Sequence, residues 1–156
     1  MLTKKGVWRI DSGVDAICRL GDAKNMKLFS ELNVLSTEET EARRDVLLGH
    51  YTGTVEIEAL CMVDMINKHV IPSMKKAGHG PIQALEKGVN TIKFALDDME
   101  KCKTVADKAT QARVLRLETM EAIREICDDC EAKCPANEWT LATYKDLLFV
   151  DHTLQL

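Results

Sequence analysis

Between Ser36 and Pro72 the sequence can build one uninterrupted helix, and a rod of that length dictates the rest of the fold. Ser36-Thr37-Glu38-Glu39 places a capping hydroxyl three residues ahead of a carboxylate, the pattern of a capping box. Leu47, Tyr51, Val55, Leu60, Cys61, Met62, Met65, Ile66, Val70 and Ile71 then recur at mostly helical spacing, and Pro72 is expected to kink or end the helix. About 34 residues at 1.5 Å each would run about 50 Å, so such a rod needs partners along its length. Gly49 and Gly53 flank Tyr51 and weaken the helix by roughly 1 kcal/mol each relative to alanine. Close approach of another backbone would explain them.

Ala77-Gly78-His79-Gly80-Pro81 reads as the turn after this rod, with glycine past one helix end and proline opening the next. Ile82, Leu85, Val89, Ile92, Leu96 and Met99 follow at intervals of three, four, three, four and three, an a/d stripe. Burial of such side chains stabilises by roughly 1.5–3 kcal/mol each before chain entropy is subtracted. Lys103 to Asp107 looks like a break with a new cap. The next helix carries Val114, Leu117, Met120, Ile123, Cys127, Cys130 and Cys134 and stops at Pro135. Trp139 to Phe149 is short and apolar, a tail expected to fold back on the bundle.

No sustained strand-like alternation, internal repeat or low-complexity tract interrupts this pattern. The expected fold is therefore all-α: an antiparallel helical bundle with three long helices, short N-terminal helices and a short C-terminal helical tail. Residues 1–35 form an N-terminal extension and 36–156 the bundle, within a single domain overall. The length of 156 residues suits one domain. Apolar residues at 46% and charged residues at 29% give the balance of a soluble globular chain. A net charge of -4 argues against nucleic acid as a partner. No apolar run approaches a membrane span, and no secretory signal is visible. The six cysteines are accordingly read as thiols in an intracellular reducing compartment.

Cys127, Cys130 and Cys134 share one helical face, with Cys61 or Cys102 as a conceivable fourth ligand for zinc or an iron–sulfur cluster. The same spacing continues the apolar stripe, so small buried hydrophobes are the stronger reading. None of His50, His69, His79 or His152 has a glutamate three residues before it, which argues against a di-iron bundle. There is no G-x-S-x-G and no phosphate-binding glycine loop, and the carboxylates fall where solvated helix faces fall. The expectations are no catalytic residue, no metal and no cofactor.

Several segments together resemble the C-terminal region of type III glutamine synthetases. They are Val14-Asp15-Ala16, Lys24 to Phe29, Val34-Leu35-Ser36, Glu41-Ala42-Arg43, Tyr51, Ile57 to Met65 and Val70-Ile71-Pro72. Met120 to Arg124 resembles the last long helix of that family, and Trp139 with Thr143 to Phe149 its closing W-P-x-P-T-Y-x-D-L-L-F. The resemblance implies a helical domain that in the family packs against the catalytic body within a large ring. The family's metal, ATP and glutamate sites lie upstream of the stretch matched, so no catalytic residue carries over. Thr140 and Ala142 stand where the closing motif has prolines, and Glu118 where a proline precedes Met120. Loss of those prolines leaves the angle of the tail open.

A face that rested on a catalytic body would stay apolar and call for another partner. The leading expectation is thus a non-catalytic scaffold or linker subunit that binds other protein subunits of a larger complex. Its surfaces would be residues 1–35, the Tyr51 turn and the tail, with Trp8, Tyr51, Trp139, Tyr144 and Phe149 as interface anchors. Each of those aromatics has a core reading of at least equal weight. The resemblance also implies a bacterial or algal-plastid setting. The compartments are then the cytoplasm or the plastid stroma, with a photosystem–antenna complex among the hosts and the chain peripheral to its membrane. The alternatives are a C-terminal fragment of a full glutamine synthetase, an ATP-dependent glutamate–ammonia ligase, and a helper holding a small ligand or pigment.

Overall fold

Ser36 starts the long rod as its sequence requires. Its hydroxyl accepts from the Glu39 N–H at 3.1 Å, and the Glu39 carboxylate accepts from the Ser36 N–H at 2.7 Å. The computed structural model describes residues 10–149, apart from the side chain of Tyr144. Within it, α1 (Gly13–Cys18) and α2 (Ala23–Glu31) precede α3 (Thr37–Met65). A π-turn at Ile66–Val70 joins α3 to α4 (Ile71–Ala77). Then come α5 (Ile82–Glu100), α6 (Val105–Val114), a second π-turn at Leu115–Thr119, α7 (Met120–Lys133) and α8 (Tyr144–Leu148). The described residues are all-α, in three rods with short helices at both ends.

Pro72 neither ends nor breaks the first rod. Proline lacks the N–H that would bond back to residue 68, and its ring crowds that carbonyl. The chain answers just upstream with one widened turn, in which the Ile71 N–H reaches the Ile66 carbonyl five residues back. Helix then continues to Gly78, which closes α4 in the left-handed conformation at φ 73°. The rod comes to about 60 Å at 1.5 Å per residue.

From the turn at 78–81, α5 runs back along the rod, and the third rod runs forward beside it. Ala109 on α6 shares a small cluster with Leu48 on α3 and Val14 on α1. Further along, Arg116 reaches Glu58 at 3.0 Å. The α5 stripe is buried as its spacing requires, with Leu85, Val89, Ile92 and Met99 inside and Ile82 and Leu96 at the edge. Gly88 makes the α5–α7 contact possible: a Cβ there would lie 3.2 Å from two carbons of Ile123. Thr104 caps α6 by accepting from the Asp107 N–H at 3.0 Å, where the break was expected.

Three expectations are corrected. Nothing approaches Gly49 or Gly53 within 4 Å of where a Cβ would stand, so close backbone packing does not explain them. Leu117 lies on the second π-turn at 48% exposure, while Leu115 is buried in its place. The widened turn rotates the apolar register, which a strict three–four count misses. On α3, Leu47, Leu60, Cys61 and Met65 are exposed, and the core side is Leu48, Thr52, Val55, Ala59 and Val63. No helix among the described residues is long and apolar enough to cross a membrane.

Candidate protein-docking groove

α3, α7 and the segment after Pro135 enclose an open groove of about 570 Å³. Cys61, Met62, Met65 and Ile66 form one wall, and Arg124, Cys127, Asp128 and Glu131 the other. Trp139, Leu141, Ala142 and Leu147 complete it from the tail. The interior is apolar and the charges sit on the rim. Glu58 there is paired with Arg116, and Arg124 lies 3.6 Å from Asp128.

The angle of the tail, which the missing prolines left open, is set by packing and by one side-chain pair. Trp139 and Leu141 rest against the main core. Thr140 Oγ1 lies 2.9 Å from His69 Nδ1 on the first π-turn, with Ser73 Oγ at 3.5 Å. Thr140 thus ties the tail to the first rod by a hydrogen bond. α8 carries its own capping box. Thr143 Oγ1 accepts from the Asp146 N–H at 3.3 Å, and the Asp146 carboxylate accepts from the Thr143 N–H at 3.0 Å and its hydroxyl at 2.7 Å. The hydroxyl bond first, then the backbone bond, holds the Asp146 carboxyl below the usual aspartate range.

The cysteines of the third rod pack against the core. Cys130 is fully buried, and Cys127 and Cys134 rest against the same core. Burial pushes the Cys127 thiol up to about 11, so it is neutral at physiological pH and behaves as an apolar wall. Burial also raises the Cys130 thiol. Cys61 across the groove is exposed, and all six cysteines are free thiols. Among the described residues no group of three or more His, Cys, Asp or Glu converges as a metal site.

Three of the five aromatic anchors have described side chains: Trp139, Phe149 and Tyr51. Trp139 lines the groove and its indole N–H is buried without an acceptor. Phe149, just past α8, is 54% exposed, beside Leu147 at 60% and Leu148 at 78%. Tyr51 lies away from them, bridging the two core clusters under the Arg116 guanidinium, 5.8 Å from its ring centre. Trp8 and the Tyr144 side chain lie outside the described residues. Sequence reasoning named the tail but missed the α3 and α7 walls. The sequence signal available was the soft apolar run Cys61-Met62 with Met65, more apolar positions than one buried face of α3 uses.

Residues 2–93 match the family model described as the glutamine synthetase C-terminal domain. The type-3 glutamine synthetase of Dictyostelium discoideum is 35% identical over 69 residues, which are 44% of this chain and 9% of that protein. The glutamine synthetase of Butyrivibrio fibrisolvens is 24% identical over an alignment covering 81% of this chain and 22% of that protein. The chain thus spans less than a quarter of either relative's length. With the family model covering more than half of its residues, the chain belongs to the glutamine synthetase C-terminal domain family.

Proposed function

We propose that this chain is a non-catalytic helical subunit that docks other proteins in a larger assembly, with the groove between α3, α7 and the tail as its contact site. The carrying observation is that groove: an apolar concavity edged by ion-paired charges, with Leu147, Leu148 and Phe149 standing exposed beside it. A greasy centre inside a polar rim is the anatomy of a protein interface, and tryptophan is the residue most often found at its energetic centre. Six free thiols suit a reducing compartment, the plastid stroma or the cytoplasm. In a plastid the host would be a large complex such as a photosystem with its antenna, with the chain lying peripheral to the membrane.

A second reading has its own support. The Butyrivibrio alignment runs along most of this chain yet covers only 22% of that protein, as a C-terminal piece of a full glutamine synthetase would. Native purification with chemical cross-linking separates the two. Docking predicts a stable companion linked through Lys145, next to the groove. Recovery of the chain alone, or glutamine formed by the isolated chain, refutes it, and a native mass several times larger in one polypeptide establishes the ligase reading.

A further inference from the structure

α3 is apolar on two opposite sides. α5 and α7 are each strongly one-sided, whereas the apolar residues of α3 are spread around its axis. One side faces the bundle through Leu48, Val55 and Ala59. The other, half a turn away, carries Val46 at 71% exposure, Ile57 at 65% and Leu60 at 55%, with nothing near Gly49 or Gly53. A helix greasy all round is ordinarily covered all round.

We propose that this outer ridge is a self-association surface, on which α3 of one copy packs antiparallel against α3 of a second about a two-fold axis at Gly53. The ridge reads as a mirror about that residue. Four positions either side are Gly49 and Ile57, and seven either side are Val46 and Leu60. Antiparallel pairing therefore seats Ile57 of one copy over Gly49 of the other, and sets Val46 against Leu60. The absent side chains at Gly49 and Gly53 let the two helices approach closely. Charge agrees in the same register. Arg43, exposed and with no ion pair among the described residues, falls on both sides of the axis beside Asp64 of the second copy, which in its own chain also holds Lys68 at 2.7 Å. A surface that is self-complementary under two-fold rotation is what an isologous dimer requires, and a different partner would not need that mirror. The contact is a single helix pair about 30 Å long, so the dimer is at the weak end of stable interfaces, with a Kd on the order of micromolar.

The surface is separate from the groove, and the inference does not rest on the docking function. Sedimentation velocity of the full chain over a dilution series tests it. Wild type is expected to pass from monomer to dimer. Gly53→Leu should raise the Kd by at least about tenfold while leaving the thermal midpoint unchanged or higher, because nothing lies within 4 Å of a Cβ at this position and glycine disfavours helix. Ile57→Arg, at an exposed position, gives the same readout if the first variant folds poorly. Arg43→Glu or Asp64→Arg alone should weaken the dimer, and the two together should restore it. A wild type that stays monomeric throughout, a dimer indifferent to Gly53→Leu and Ile57→Arg, or a double reversal that fails to rescue overturns the inference. Groove variants that abolish partner capture but not dimerisation leave it standing.

Discussion

Replacing Gly88 by alanine should give the opposite sign from the same change at Gly49. Both glycines sit inside long helices, and alanine relieves each of roughly 1 kcal/mol of helix penalty. At Gly49 the new methyl meets nothing within 4 Å, so the full gain appears. At Gly88 it would stand 3.2 Å from Cγ1 and Cγ2 of Ile123 and 3.4 Å from Cδ1. Ile123 is 5% exposed and sits within the main core, so it can yield only against its packed neighbours. Overpacking of this kind costs about 1–3 kcal/mol, so Gly88→Ala should be neutral to about 2 kcal/mol destabilising, net of the helix gain. The two variants should then differ by about 1–3 kcal/mol, or some 2–10 °C in midpoint for a domain of this size. Urea unfolding followed by far-ultraviolet circular dichroism, at submicromolar protein so that association does not contribute, measures both. A double-mutant cycle sharpens the comparison. In an Ile123→Ala background the clash is gone, and Gly88→Ala should become stabilising by about 1 kcal/mol. If Gly88→Ala stabilises wild type as much as Gly49→Ala does, the α5–α7 contact is not as close as described and the reasoning fails.

Thiol labelling of the native protein near pH 8 should modify exposed Cys61 well before Cys127 and Cys130, whose burial keeps them protonated. Equal rates, followed by mass spectrometry of the labelled peptides, would contradict the packed cysteine face. The tail should loosen on acidification. The Asp146 carboxyl titrates below its unfolded value, so its contribution is complete above the ordinary aspartate range near pH 4 and is lost as pH falls through the depressed folded value. Amide exchange across residues 143–149, compared between neutral and acidic pH and with Thr143→Ala, should show that loss and its mimicry at neutral pH; an acid-insensitive tail would refute it.

How much was legible follows from which signals are local. The Ser36 capping box, the Gly78 turn and the α5 stripe were readable because each is decided within a few residues of chain. The third rod is readable beyond its π-turn, where Ile123, Cys127, Cys130 and Cys134 meet the core as their spacing requires, but not within it, where Leu117 faces solvent and Leu115 the core. Nothing near Leu115 announces that turn. The first π-turn had a local cause in Pro72, yet proline alone could as well have stopped the helix. The role of Gly88 and the His69–Thr140 hydrogen bond depend on residues 35 and 71 positions apart, beyond any window of periodicity. α3 misled most, because a helix apolar on both sides gives no sequence signal of which side is inside.

The two widened turns have a consequence for how such a chain can change over time. An α-helix advances by about 100° per residue, so each turn holding one residue more than an α-turn offsets everything after it by a fixed angle. Deleting one residue at 115–119 would close that turn to an ordinary α-turn and leave α7 facing as before, whereas deleting one between Met120 and Cys127 would turn Cys127 by about 100°. Met62 and Cys127 would then no longer look into the same hollow. The groove is in this sense a matter of phase rather than composition, open to loss by one deleted codon and resistant to many substitutions.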